Sequence, residues 1–302
     1  MSNNKKNKFY GVNDDLWGHK WGFKDSSFII NDDNTVTFTG KRYEGISGER
    51  LPYLIPFVTK VLKTDIKKEP YFKEIEKKYV TERKINQDFV NDIKSFFNDD
   101  QISFSDEERV LHSHGQNSPD EVFKVLYDKL EKFTDIVVYV ENEEDVINLI
   151  EKAKKHNVCL VPYGGGTNVT NALQLPEDEE RMIVSVDTRR LNKIISIDTK
   201  NLLIEVEAGI TGKHLEEELQ KKGFTVGHQP DSIELSTLGG WISTNAAGMK
   251  KNKYGNIEDI VQNVVMVTPN GTINQIKPLV RSSIGIKTQN LLFGSEGNIG
   301  II

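Results

Sequence analysis

The sequence predicts an α+β fold, and three features of the middle of the chain support it. Residues 136–140 and 158–161 are short apolar runs rich in β-branched residues, as expected of strands buried in a sheet. Between them, acidic residues at 143–145 and basic residues at 152–156 complement the two ends of a helix dipole, which predicts a helix. From residue 182 onward, short apolar runs separated by turn residues predict hairpins.

Three consecutive glycines, Gly164, Gly165 and Gly166, follow the second of these strands. The strand is predicted to end at Pro162, because proline has no N–H to donate to a sheet ladder. A loop without β-carbons can adopt left-handed conformations, and its N–H groups can converge on an anion such as a pyrophosphate. The alternative is a plain glycine-rich turn between two elements.

Two familiar nucleotide-binding motifs do not fit this loop. A dinucleotide fingerprint of the Rossmann type needs a further glycine where Val169 stands, with a helix opening there, and the following residues are typical of a loop. A Walker A loop ends in Gly-Lys followed by Ser or Thr, whereas the Gly-Lys pairs at 40–41 and 212–213 are followed by Arg42 and His214. Nucleotide hydrolysis therefore loses its main sequence signature.

The composition limits the classes of protein to which the chain can belong. Its 302 residues carry a formal net charge of −6, with lysine and arginine dispersed among acidic residues, so no basic patch for nucleic acid is expected. The single cysteine, Cys159, excludes an intramolecular disulfide and is interpreted as a small core residue. No stretch reaches the ~18 apolar residues of a membrane span. The chain stops inside a strand-like sequence, and we expect a fragment of a longer protein.

Residues 1–125 are predicted to form a largely helical N-terminal region with an aromatic leader and one hairpin. The leader contains Trp17 and Trp21, and such leaders usually pack onto a neighbouring domain. The hairpin joins residues 28–30 to residues 35–39 through a polar turn.

Three helical segments are predicted in the remainder of this region. Residues 51–62 are apolar and predict a helix in a core or an interface, with contact with a membrane surface as the alternative. The charged stretch at 63–97 predicts solvated helices. Ser118 and Pro119 predict an N-cap and a first-turn proline for a helix that extends to about residue 133.

The C-terminal part combines predicted hairpins with a second unusual block. This block, at residues 227–248, mixes glycines, small residues and hydroxyls in a way that a surface loop does not require. An amphipathic helix is predicted after Gly212, ending near Gly223. Strands are predicted at residues 182–187, 193–197, 202–206, 261–267 and 272–276.

Three motifs occur in a fixed order along the chain. Pro-x-Gly-Gly-Gly-Thr lies at 162–167, Pro-Asp-Ser followed by Gly-Gly-Trp-Ile-Ser-Thr-Asn-Ala-Ala-Gly lies within 230–248, and Gly-Ser-Glu-Gly-x-x-Gly lies at 294–300. In this order they resemble the FAD domain of the vanillyl-alcohol oxidase and p-cresol methylhydroxylase family. Within that family, the sequences at residues 206–212 and 248–259 resemble those of the branch that synthesises ether lipids.

The resemblance implies a fold and a division into domains. A two-subdomain FAD-binding domain is expected at residues 126–302, with a first subdomain at 133–190 and a second at 191–302 that is truncated at its C-terminal end. The cap domain of the family is apparently absent from this chain, so the catalytic acid–base residues are expected beyond it. Within the chain the catalytic candidates are His228, which alternatively makes a structural hydrogen bond, and Arg109, which alternatively forms a buried ion pair.

The resemblance also implies FAD as the cofactor. The glycine loop would meet the FAD pyrophosphate through peptide N–H groups, and three later segments would contact the rest of the cofactor. Because Thr167 and Asn168 follow the glycines where many relatives attach FAD through a His or Cys, the implied binding is non-covalent. The predicted cofactor-binding residues are Pro162, Tyr163, Gly164, Gly165, Gly166, Thr167, Asn168, Asp231, Ser232, Ile233, Glu234, Leu235, Ser236, Thr237, Thr244, Asn245, Ala246, Ala247, Glu296, Gly297, Asn298, Ile299, Gly300, Ile301 and Ile302.

The implied reaction exchanges the acyl group of acyl-dihydroxyacetone phosphate for a long-chain fatty alcohol, without net redox, in ether-lipid biosynthesis. A homodimer, contact with a lipid membrane surface and a location in peroxisomes are implied in the same way, and no targeting signal is visible. Two alternatives stay open: an FAD-dependent dehydrogenase of 2-hydroxy acids such as lactate or glycolate, and a non-catalytic flavin-binding scaffold. No metal is expected, because no further ligands join His112 and His114.

Overall fold

A four-stranded mixed sheet lies at the centre of the computed structural model, which describes residues 16–18, 20–41, 43, 45–66, 80–274, 283, 285 and 287–302. The first half of the chain contains β1 (Ser27–Ile30), β2 (Val36–Thr39), β3 (Arg50–Leu51), α1 (Leu54–Leu62), α2 (Gln87–Ile93), β4 (Ile102–Ser103), α3 (Asp106–Leu111), α4 (Pro119–Leu126), β5 (Ile136–Tyr139) and α5 (Glu143–Lys155). The second half contains β6 (Cys159–Tyr163), β7 (Ile183–Asp187), β8 (Ile194–Asp198), β9 (Leu203–Val206), α6 (Gly212–Gln220), α7 (Leu238–Ser243), α8 (Lys251–Tyr254), α9 (Ile257–Ile260), β10 (Met266–Thr268) and β11 (Gly271–Ile273).

The central sheet has the strand order β4-β5-β7-β6. Strands β5, β7 and β6 are parallel, and β4 pairs antiparallel with β5. The predicted helix between the parallel strands is confirmed as α5, whose N-cap Asn142 accepts a hydrogen bond from the N–H of Asp145. Parallel strands joined through a helix bring their carboxyl ends to one edge of the sheet, which is where open α/β sheets bind ligands.

One face of the sheet packs against α2 and α5 in the largest core. Side chains alternate along a strand, so Ile136 and Val138 face these helices whereas Tyr139 faces the opposite side. Each fully buried aliphatic side chain contributes roughly 1.5–3 kcal/mol to folding. This core includes Phe89, Val90, Ile93, Ile136, Val138, Val146, Leu149, Ile150, Val184 and Val186.

The C-terminal part builds two smaller cores beside the sheet. The hairpin β8–β9 and helix α6 enclose Ile210, Leu215 and Leu219. A second cluster contains Trp241 and Met266, and the bridge between Val267 and Ile301 joins it to the core of the sheet. The domain boundaries predicted after residues 125 and 190 stay predictions, and β4 of the N-terminal region pairs directly with β5.

The prediction that the strand before the glycines ends at Pro162 is wrong. Pro162 lies inside β6 and is aligned with Val186 of β7. Strand β6 lies at the edge of the sheet, so an N–H is not required on its open side. For the same reason Cys159, which was interpreted as a core residue, is half-buried.

Other sequence predictions also need correction. Helix α4 ends at Leu126 rather than near residue 133, because Asp128 takes a left-handed conformation with φ +54. Ser118 occupies the N-cap position, but its side chain makes no capping hydrogen bond. Residues 182–187 form no hairpin, since β7 is a central parallel strand.

The apolar segment at 51–62 forms helix α1, and none of its side chains is buried, contrary to the expected core position. Phe57 and Val61 are 63% and 58% exposed. Among the residues that the structure describes, no helix is both long enough and apolar enough to cross a membrane. Of the helices predicted at 63–97, α2 is described, and residues 67–79 lie outside the described part of the chain, as do residues 275 and 276 of the last predicted strand.

Candidate FAD-binding site

The glycine loop lies at the carboxyl end of β6, at the ligand-binding edge of the sheet. Within the described part of the chain, no N–H group from Gly164 to Asn168 has a hydrogen-bond acceptor. Gly166 has φ +67, a conformation that a residue with a β-carbon rarely adopts. Free N–H groups that share one loop form an anion-binding concavity. The loop is therefore equipped to hold a phosphate or pyrophosphate.

The loop packs against the second predicted cofactor segment, residues 231–237. A β-carbon on Gly165 would overlap the backbone of Leu235, and one on Gly164 would overlap the hydroxyl of Thr237. Glycine is required at both positions because two backbone segments approach each other more closely than a side chain allows. This contact joins residues separated by about seventy positions into one surface.

Residues 231–237 are themselves held firmly. The hydroxyl of Thr237 accepts a hydrogen bond from the N–H of Gly240 at 3.2 Å and so caps helix α7. The indole Nε1 of Trp241 donates to Ser236 Oγ at 2.8 Å, and both residues are buried. The indole belongs to the packed core of the C-terminal part.

The last predicted segment, residues 296–302, completes the arrangement. Gly297 lies against the ring of Pro162, where an added β-carbon would stand 3.0 Å from Cδ. Thr170 Oγ1 donates to Glu296 Oε1 at 2.8 Å, and the N–H of Glu296 donates to the carbonyl oxygen of Ser243 at 2.9 Å. Ser243 immediately precedes the segment at 244–247. The four segments predicted from the sequence therefore lie side by side, although the individual ligand assignments stay predictions.

The charge of these segments decides how they could bind an anion. They contain no lysine or arginine, and they carry three acidic residues, Asp231, Glu234 and Glu296. A pyrophosphate placed here would be held by the neutral N–H groups of the loop rather than by a cationic side chain. The hydroxyls and small residues at 232–237 and 244–247 suit close contact with the rest of a dinucleotide.

His228 lies beside this surface and has an unusual environment. It is 1% exposed, and neither ring nitrogen has a hydrogen-bond partner. Its ring lies 4.7 Å from that of Trp241, and an added β-carbon on Gly248 would stand 3.2 Å from Nδ1. Burial lowers the pKa of His228, so the neutral ring is favoured. The structural hydrogen bond considered as its alternative role is not made in this structure.

Arg109 is buried elsewhere, under the N-terminal region. Its guanidinium nitrogens donate to Thr134 O at 2.8 Å, to Thr81 O at 2.9 Å and to Asp106 Oδ1 at 2.8 Å. With all three nitrogens occupied, this side chain has the environment of a buried structural ion pair. Its assignment as a catalytic candidate stays a prediction.

His112 and His114, the two residues of the His-x-His motif, turn to different partners. His112 contacts Asp187 and the carbonyl oxygen of Glu108, and His114 Nδ1 lies 2.8 Å from the carbonyl oxygen of Gly115. Burial lowers the pKa of His114 to about 4. Across the described residues, no group of three or more His, Cys, Asp or Glu side chains could hold a metal ion.

Sequence reasoning missed a set of contacts from the N-terminal region to the glycine loop. The N–H of Gln116 donates to Gly166 O at 2.6 Å, and Asn117 Nδ2 donates to Thr167 O at 3.1 Å. Trp21 Nε1 donates to Gln116 O at 2.6 Å. These residues belong to no nucleotide motif, and the one signal near them was the His-x-His-Gly sequence that precedes Gln116.

The comparisons with known proteins agree with this geometry. Residues 134–277 match the family described as FAD binding domain. The chain is 43% identical over 284 residues to the alkyldihydroxyacetonephosphate synthase of Caenorhabditis elegans, an alignment that covers 93% of the chain and 47% of that relative. The chain is thus similar to an alkyldihydroxyacetonephosphate synthase over most of its length, and it carries a match to an FAD binding domain.

Two further synthases support the assignment. That of Dictyostelium discoideum is 36% identical over 264 residues, which cover 85% of the chain and 43% of the relative. A solved structure of alkyldihydroxyacetonephosphate synthase matches with a TM-score of 0.84 and 33% identity, covering 95% of the chain and 52% of the solved chain. The chain thus spans about half the length of the synthases that it matches.

These similarities and the match to an FAD binding domain confirm two predictions made from the motifs. The fold is that of an FAD-binding domain of the vanillyl-alcohol oxidase and p-cresol methylhydroxylase type, with mixed α and β elements. The cofactor is FAD. The free N–H groups of the glycine loop and the close approach at Gly165 fit this cofactor, because both favour a diphosphate bound by backbone.

Proposed function

We propose that this chain is the FAD-binding part of an alkyldihydroxyacetonephosphate synthase. The observation that carries the proposal is the 43% identity to a synthase over 93% of the chain, together with four predicted cofactor segments that lie side by side, one of which is a loop of free N–H groups. The reaction would exchange the acyl group of acyl-dihydroxyacetone phosphate for a long-chain fatty alcohol. The named synthases favour this function over a 2-hydroxy-acid dehydrogenase.

The described residues have a limited task in such an enzyme, namely binding and orienting the cofactor. Residues 164–168 would bind the pyrophosphate through N–H groups, and residues 231–237 and 244–247 would line the ribityl chain and the ring. Bound flavin would supply the reactive ring to which the substrate carbon is presented. His228, whose ring nitrogens have no partner among the described residues, would be a candidate to donate or accept one hydrogen bond near that ring.

Further features of the proposed enzyme rest on the same family. The substrates would be acyl-dihydroxyacetone phosphate and a fatty alcohol, the protein would form a homodimer, and it would act at a lipid surface in peroxisomes. FAD would be bound non-covalently, since Thr167 and Asn168 follow the glycines. The FAD-binding domain would occupy residues 126–302, divided near residue 190.

The first experiment measures the flavin content of the purified chain. We expect about one FAD per chain by absorbance, released completely into the supernatant when the protein is denatured with acid. A flavin that stays with the precipitated protein would contradict non-covalent binding. A chain that neither retains nor rebinds FAD would contradict the proposed function itself.

The second experiment tests the reaction in a protein that carries this chain and is extended to the length of the relatives. Radiolabelled hexadecanol should be incorporated into alkyl-dihydroxyacetone phosphate when palmitoyl-dihydroxyacetone phosphate is supplied, with release of palmitate. D-lactate and glycolate should leave the flavin absorbance unchanged under anaerobic conditions. Bleaching by either acid would favour the dehydrogenase, and bound FAD without either reaction would favour the scaffold.

A further inference from the structure

We propose that His112 is a positioning residue for the FAD pyrophosphate loop, acting through its contact with Asp187 and through the segment at 112–117. This inference rests on the proposed assignment of residues 164–168 as the pyrophosphate loop. His112 lies at the end of α3, remote in sequence from every predicted cofactor segment. In the fold, however, His112 connects the sheet to the loop in two steps, each made by its own set of contacts.

The first step is a row of residues at the carboxyl ends of the three parallel strands. Tyr139 of β5, Asp187 of β7 and Tyr163 of β6 are aligned with one another in the sheet register. The ring of His112 lies across this row, with its centroid 6.0 Å from that of Tyr139 and 4.4 Å from that of Tyr163. The glycine loop begins at the residue after Tyr163, so His112 contacts the residue that immediately precedes the loop.

The hydrogen bonds of His112 fix its ring in this position. Nε2 lies 2.9 Å from Asp187 Oδ2, and Nδ1 lies 2.7 Å from the carbonyl oxygen of Glu108. The carboxylate of Asp187 and the carbonyl of Glu108 are both acceptors, so the ring of His112 is held between two acceptors. His112 and Asp187 are fully buried, and Arg189 also pairs with Asp187. Charge-assisted bonds at a buried site are strong and directional, which suits a fixed anchor.

The second step runs from His112 along the chain to the loop. Four residues later the N–H of Gln116 donates to Gly166 O at 2.6 Å, and Asn117 Nδ2 donates to Thr167 O at 3.1 Å. These bonds hold loop carbonyl oxygens toward the N-terminal region. A segment that is anchored to the sheet at His112 and to the loop at its other end restricts the freedom that the glycines would otherwise give.

Such a restriction matters because glycine loops lose much conformational entropy when they order around a ligand. A loop already held in its binding conformation loses less, and its affinity for the anion is correspondingly higher. A purely structural role for the buried His112, Asp187 and Arg189 cluster is the competing explanation. It predicts a loss of stability with no selective loss of FAD affinity.

Two substitutions at His112 separate the contact with Asp187 from the contact with Glu108. The amide nitrogen of glutamine can take the place of Nε2, so His112→Gln keeps a donor toward Asp187. The shorter asparagine places its amide nitrogen near the position of Nδ1, so His112→Asn keeps the bond to Glu108 and loses the other. Thr134→Val is the matched control, because it removes buried side-chain hydrogen bonds outside the 112–117 segment and outside the predicted cofactor segments: Thr134 Oγ1 accepts from Ser185 N–H and donates to Ile136 O.

The measurement is the FAD dissociation constant of each apoprotein by flavin fluorescence, with the melting temperature of the apo form alongside. We expect His112→Asn to weaken FAD binding about tenfold or more, equivalent to about 1.4 kcal/mol, while the FAD affinities of His112→Gln and Thr134→Val stay near that of wild type. Asn117→Ala, at an exposed position that tolerates substitution, should also weaken FAD binding.

The outcomes are distinct. If wild type binds no FAD, the proposed function fails before His112 is tested. If wild type binds FAD but His112→Asn retains that affinity, or if FAD affinity falls in step with melting temperature for Thr134→Val as well, the positioning role is overturned. Should His112→Asn not fold, unchanged affinity in Asn117→Ala overturns the proposal, and a selective loss there supports it.

Discussion

The Cα atom of Gly165 faces the carbonyl oxygen of Leu235 so closely that a β-carbon would overlap it. This contact joins the glycine loop to the segment that caps helix α7 through Thr237. The approach places two backbone segments, rather than two side chains, at the predicted pyrophosphate position. Substitutions that add volume there are therefore the most informative.

Gly165→Ala is expected to abolish measurable FAD binding, because either the loop or the backbone at Leu235 must move to admit the methyl group. Fluorescence titration of the apoprotein with FAD measures the effect. The control is Gly223→Ala, at φ +79 with open space around it, which should cost about 1 kcal/mol of stability and leave FAD affinity unchanged. Stoichiometric FAD in Gly165→Ala would show that the loop has another role.

Thr237→Ala should remove an N-cap and lower the free energy of unfolding by about 1 kcal/mol. Thr211 caps α6 in the same manner, so Thr211→Ala should cause a similar loss of stability. We expect only Thr237→Ala to weaken FAD binding as well, because Gly164 packs against that hydroxyl. Chemical denaturation and FAD titration of both variants test this, and equal effects on FAD affinity would count against the predicted site.

His228→Leu is expected to stabilise the FAD-free protein by about 1 kcal/mol, because it removes two buried ring nitrogens that lack partners. The same substitution should alter the absorbance or fluorescence of bound FAD if the ring faces the flavin. Thermal unfolding of the apo form and spectra of the FAD-bound form measure the two effects. A stabilised protein with an unchanged flavin spectrum would contradict a position of His228 at the flavin and would indicate a role in core packing alone.

Glu121 provides a prediction on pH. Its Oε1 accepts a hydrogen bond from Gly115 N at 2.7 Å, Oε2 has no partner, and burial raises the pKa of the carboxyl group. A raised pKa means that the folded state holds the proton to higher pH than the unfolded state. The free energy of unfolding therefore falls as pH rises from the carboxyl pKa of the unfolded state to that of the folded state. Glu121→Gln keeps the acceptor without the charge, so its stability relative to wild type should increase from pH 4 to pH 8.

The control for this titration is Asp120→Asn, which removes an exposed neighbouring carboxylate paired with Lys124. Denaturant unfolding of wild type and both variants at several pH values gives the comparison. The free energy of unfolding of Asp120→Asn, relative to wild type, should not increase from pH 4 to pH 8 as that of Glu121→Gln does. A constant difference for Glu121→Gln would mean that the carboxyl group titrates alike in the folded and unfolded states.

Much of this fold could be predicted because its signals are local. The charges at the ends of α5, and the short apolar runs separated by turn residues at β8 and β9, predicted those elements, and the order of the glycine motifs predicted the FAD-binding domain. The strand end at Pro162 was misplaced because a proline is tolerated at a sheet edge, and the edge position depends on strand order. Strand order is set by long-range packing, which no local pattern encodes.

The contacts of Gln116 and Asn117 with the loop, and that of Trp21 with Gln116, were missed for a related reason. Gln116 takes part only through its backbone N–H and carbonyl, and all three acceptors are backbone carbonyls, so the residue types at those positions carry little information. The same applies to the register that aligns Tyr139, Asp187 and Tyr163. The motifs predict which segments bind the cofactor, whereas the contacts that support those segments depend on how the whole chain folds.

The absence of lysine and arginine from the four cofactor segments has a consequence for the conditions under which FAD is held. Attraction to a cationic side chain is screened by dissolved ions, whereas short hydrogen bonds from peptide N–H groups inside a packed loop are affected much less. Retention of FAD should therefore change little between dilute and concentrated salt. A buffer exchange that strips cofactors from lysine-lined sites would leave this one loaded.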